Sequence, residues 1–103
     1  MAEFVNPFSG MIPSRKLNDR ELARAIRMCL AAEEEAIHMY EAMADASDNA
    51  LAAKVLHDIA DEERVHAGEF QELLHILLPD EQSLLLKGSA EVRELASETE
   101  HKE

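Results

Sequence analysis

Two long segments repeat apolar residues at steps of three and four, and each breaks its repeat with a carboxylate. In the first, Leu22, Ile26, Cys29, Glu33, Ala36, Tyr40 and Met43 fall on one helical face. In the second, Ala52, Leu56, Ile59, Glu63, His66, Phe70, Leu73 and Leu77 do the same, with steps alternating between four and three as in a coiled-coil seam. A chain patterned this way folds as helices that bury these faces against one another. The pattern is most demanding at "DEERVH", Asp61 to His66, where Glu63 and His66 take positions reserved for apolar side chains.

The ends of these segments predict how they connect. Asn18 and Glu21 have capping-box spacing, so the first helix starts there. Ser47, Asp48 and Asn49 favour a turn and supply a new cap, which makes the two helices an antiparallel hairpin. The second helix is expected over about residues 50–78, and Pro79 ends it or opens the next. "PDEQSLLLKG" predicts a short third helix stopped by Gly88, and "SAEVRELASE" a further short one. Residues 1–17 lack a helical period, yet Phe4, Val5, Phe8, Met11 and Ile12 are too apolar for a free tail. The expected organisation is an arm over 1–17, one all-α domain over 18–98 and a polar tail over 99–103.

Charge and cysteine usage exclude several classes. Acidic residues outnumber basic ones 22 to 10, for a net charge of −12, which repels nucleic acid and anionic lipid and attracts cations. The single cysteine, Cys29, rules out an intrachain disulfide framework and suits a reducing compartment. No apolar run approaches the roughly 18 residues that span a membrane, and "MAEFVNPFSGMIPSRKL" lacks the basic start and apolar stretch of a secretory signal. The expectation is a cytoplasmic protein with neither nucleic-acid nor membrane partners.

Hairpin geometry decides whether the seam carboxylates can meet. Glu33 and Glu63 each lie about 15 residues from the turn, hence at the same height, about 22 Å away. His66 is one turn further along the face of Glu63. Bare carboxylates in a seam cost several kcal/mol unless paired, hydrogen-bonded or neutralised. A satisfied polar pair at a helix interface is one solution. A divalent metal is the other, since two carboxylates and an imidazole suit iron, manganese or zinc. Glu plus Glu-x-x-His is half of the ligand set of the di-metal four-helix bundles. Two hairpins related by a two-fold axis would supply the other half, and four carboxylates would balance two divalent ions. Elsewhere, Cys29, Met28, Met39 and Met43 read as core, and His38, His57, His75 and His101 as solvated or interface histidines.

"CLAAEEEAIHMYEAM" followed by "LHDIADEERVHAGEF" resembles the encapsulated ferritin-like proteins, small ferritin relatives housed in encapsulin nanocompartments. The resemblance covers roughly residues 17–98, and "LKGSAEVRELA" also looks like forms fused to the shell protein. It implies a half-ferritin fold: an antiparallel two-helix hairpin with a short C-terminal helix, completed to a ferritin-like four-helix bundle by dimerisation. It also implies a homodecamer of five dimers and a ferroxidase with two iron ions per dimer interface. Fe(II) is oxidised there by oxygen or peroxide, and the shell stores the mineral. Glu33, Glu63 and His66 match the iron ligands, Tyr40 a tyrosine beside the centre, and Glu35 an acidic residue that guides iron inward. The companion acidic position is Ala32 here. "SETEHKE" does not look like the small, apolar targeting peptide that usually ends such cargo. Two further readings stay open: a rubrerythrin-like di-iron protein acting on peroxide, and a non-catalytic metal-binding assembly module.

Overall fold

The computed structural model describes residues 15–102. Residues 1–14, with the apolar side chains of the expected arm, and Glu103 lie outside the described residues. Three helices follow in order: α1 (Asp19–Ala46), α2 (Ala50–Leu77) and α3 (Pro79–Lys102). Each of the first two has 28 residues and is therefore about 42 Å long. They pack antiparallel along their length.

Local chemistry sets the boundaries. The Asn18 side chain accepts the Glu21 N–H at 2.9 Å, and the Glu21 carboxylate accepts the Asn18 N–H at 3.1 Å. Arg15 donates to that same carboxylate at 2.8 Å. The Arg15 hydrogen bond first, and the Asn18 N–H second, hold the Glu21 carboxyl down from 4.5 to about 2. At the turn, Asn49 caps α2 by accepting the Ala52 N–H at 3.0 Å. Leu78 alone separates α2 from α3, because a proline after it disfavours helical backbone at that residue. Pro79 then starts α3, where its missing N–H costs nothing.

Gly88 does not stop α3, contrary to the expected break into two short helices. A single helix of 24 residues runs through it to Lys102, taking in the stretch read as a loose tail from residue 99. A glycine ends a helix by turning left-handed, but here strong helix formers continue on both sides, and an interior glycine costs only about 1 kcal/mol.

The core is thin. Ala23, Ile26 and Leu74 are buried near the open end of the hairpin, backed by Leu30, Phe70, Leu77 and Leu78. Ala44 and Ala60 are buried nearer the turn, and no large side chain is fully buried among the described residues. Apart from Ile26, the buried residues lie beside the seam rather than on it. The seam residues Glu33, Ala36, Tyr40, Ile59, Glu63 and Phe70 are half-buried. Cys29 is exposed, and Met39 and Met43 are 50% and 49% exposed, so none of the three is core in this chain. The apolar stripe on each helix is wider than one partner helix can cover. The third helix adds little cover: Leu84, Leu85, Leu86, Val92 and Leu95 are all exposed. Arg27 ties it to α1 through an ion pair with Glu81, which lowers the Glu81 pKa chiefly by hydrogen bonding. The radius of gyration is 18.1 Å, against roughly 13 Å for a compact domain of this length. Among the described residues, no helix is long and apolar enough to cross a membrane.

Two outcomes follow. An added Cβ at Gly88 meets nothing within 4 Å, so Gly88→Ala should raise stability by about 0.5–1 kcal/mol in chemical denaturation. The Glu21 pKa is depressed, so the Arg15–Glu21 contribution is complete above 4.5 and disappears as pH falls toward 2. The stability difference between wild type and Glu21→Gln should shrink over that same window.

Candidate metal centre

Glu33 comes from the middle of α1, and Glu63 and His66 from the middle of α2. The three-residue connection at 47–49 makes the hairpin nearly symmetric about the turn, which brings these positions level. His66 Nδ1 stands 3.8 Å from Glu33 Oε1 and 3.7 Å from Glu63 Oε2. One ligand atom from each residue lies within 4.8 Å of the others, and among the described residues no other such group occurs. These separations are too long for hydrogen bonds. They suit a shared cation: ligand atoms about 2.1 Å from one ion stand roughly 3 to 4.2 Å apart.

The cluster is open on one side. Glu33 and Glu63 side chains are 20% and 21% exposed, whereas His66 is 52% exposed. The carboxylates thus sit inside the hairpin groove, and the imidazole forms its outer lip. Tyr40 is half-buried about two turns along α1 from Glu33, outside the cluster. Glu35 is exposed and also outside it. The stripe pattern gives no sign of two cross-helix pairs that flank the site on the turn side, Arg64–Glu41 and His57–Asp45.

Comparison with known proteins gives the family. The rubrerythrin family profile matches residues 22–102. An encapsulin nanocompartment cargo protein from Myxococcus xanthus is 41% identical over 93% of this chain and 73% of its own length. The chain belongs to the encapsulated ferritin-like proteins of the rubrerythrin family. The encapsulated ferritin domain of Pyrococcus furiosus matches in structure with a TM-score of 0.79 and 36% identity, over 91% of this chain and 95% of that one. A ferritin-like–encapsulin shell fusion protein from the same organism is 41% identical over 79% of this chain, which spans 24% of the fusion. The cluster in this encapsulated ferritin-like chain draws on one Glu, Glu33, and one Glu-x-x-His, Glu63 to His66, where bundles of the wider class carry two of each.

Co(II) titration followed by visible absorption checks the ligand set. Wild type should develop a cobalt band, and Glu33→Gln, Glu63→Gln and His66→Ala should each weaken binding by roughly ten-fold or more.

Proposed function

We propose that this chain is a ferroxidase whose di-iron centre forms between two copies, supporting iron storage within an encapsulin shell. One observation carries the reading: a level Glu33–Glu63–His66 cluster, open at its imidazole edge, on a hairpin that leaves much of its apolar face exposed among the described residues. A second hairpin placed there buries the exposed seam and brings an identical ligand set. Four carboxylates and two imidazoles then face two Fe(II) ions, which are substrate.

Glu33 and Glu63 bind and bridge the ions, and their four negative charges in the dimer offset the four positive ones. His66 directs Nδ1 at the carboxylates, which leaves its other nitrogen to hydrogen-bond a neighbour and fix the ring. Each Fe(II) gives up one electron, and oxygen or peroxide accepts the pair. Tyr40, on the same α1 face, supplies a hydrogen bond or an electron beside the centre. Glu35 and the acidic surface draw Fe(II) toward it. Five dimers close into a ring. The relatives' names, a cargo protein and a shell fusion, support a place inside a cytoplasmic nanocompartment, with the shell either fused or separate. The match to the rubrerythrin profile is the reason to keep a second reading, a rubrerythrin-like variant of this chemistry in which peroxide is the preferred oxidant.

Anaerobic Fe(II) loading followed by air or by peroxide tests these readings through ferric absorbance. Wild type should oxidise iron, and Glu33→Ala, Glu63→Ala and His66→Ala should each be roughly ten-fold slower or worse. A faster reaction with peroxide than with air supports the rubrerythrin-like variant. Uptake of zinc without iron oxidation would leave only a metal-binding assembly module. Light scattering should find dimers or larger rings, and a monomer oxidising iron at the wild-type rate contradicts the shared centre.

A further inference from the structure

The cluster needs α1 and α2 in one axial register, and the core does little to hold it. Buried side chains lie at the open end (Ala23, Ile26, Leu74) and nearer the turn (Ala44, Ala60), and none of the large ones is fully buried. Alanine contacts allow close approach but resist sliding weakly. Metal–ligand distances tolerate only about 0.2 Å, while one residue of slip moves a helix by about 1.5 Å.

Arg64 spans the hairpin beside this level. Its Nη2 pairs with Glu41 on α1, and its Nη1 donates to Asp61 Oδ1 at 2.8 Å on its own helix. Glu41 lies eight residues past Glu33, about 12 Å nearer the turn and about 80° round α1. Arg64 directly follows Glu63, about 100° round α2. Side chains on a helix lean toward its N-terminus. On α2 that direction is toward the turn, and on α1 it is away from the turn, so the two side chains lean toward each other. Their bond therefore runs along the hairpin as well as across it. A diagonal tie resists axial slip in a way that a perpendicular contact does not. Asp61 fixes the second edge of the guanidinium, a two-point hold that a lysine ammonium cannot reproduce.

We infer that Arg64 is a positioning residue, whose diagonal bond to Glu41 keeps Glu63 and His66 level with Glu33. The inference rests on the metal-centre reading. Arg64 does not touch the ion; it acts through the helix that carries two ligands.

Co(II) titration of the full chain tests it, with Arg64→Gln, Glu41→Gln and the double variant read by visible absorption. Each single variant should bind Co(II) about ten-fold more weakly, at the low end for outer partners of a metal site, and shift the cobalt band. The double variant should lose no more than either single one, because the pair acts as a unit. The metal-free unfolding midpoint should barely move, since a half-exposed ion pair contributes little to folding. Wild-type affinity and band in the single variants would overturn the inference, as would additive losses in the double. A wild type that gives no cobalt band would overturn the metal-centre reading and the inference with it.

Discussion

Two carboxylates and an imidazole on a seam built for apolar contact are the constraint on which the rest of this molecule turns. Water can no longer stabilise them fully once the seam is covered, and among the described residues they stand too far apart to hydrogen-bond one another. Their spacing, 3.7 to 3.8 Å between ring nitrogen and carboxylate oxygens, is wrong for direct bonding and right for a cation between them. A positive charge would convert the costliest feature of the seam into its tightest contact.

The same seam is the reason for proposing that a second chain completes the site. Each helix has an inner row, Ala23, Ile26 and Ala44 on α1 and Ala60 and Leu74 on α2, that meets the other helix. Beside it runs a second row, including Cys29, Met43 and Leu73, that stands exposed among the described residues. The Glu33–Glu63–His66 cluster lies at the boundary between them, beside the inner contact and open toward the outer row. At about 25 cal/mol per Å² of apolar surface buried, covering the outer row is a strong drive for association. Ion binding and association then reinforce each other by mass action.

Much of this was legible in the sequence because it depends on short-range rules. The Asn18–Glu21 box, the Asn49 cap and the break before Pro79 are local chemistry, and the structure places each where the residues predict. The level of Glu33 with Glu63 follows from counting residues away from a short turn. Burial was not legible. A stripe of period 3.6 does not say which of its edges a single neighbour covers, so Cys29, Met39 and Met43 read as core but stand exposed. Nor does one glycine decide whether a helix ends, because Gly88 stops α3 only if the following residues prefer to leave it. The Arg64–Glu41 pair escapes pattern reading because it depends on side-chain lean rather than spacing.

The central claim is that each chain brings three ligands and a second copy brings the rest. Diffraction from iron-soaked crystals, with anomalous scattering recorded at the iron edge, addresses it most directly. Two iron peaks per pair of chains are expected, each within bonding distance of ligands from Glu33, Glu63 and His66 across a two-fold axis. Iron held wholly within one chain, or Glu33–Glu63–His66 clusters facing apart with no ion between them, would contradict it.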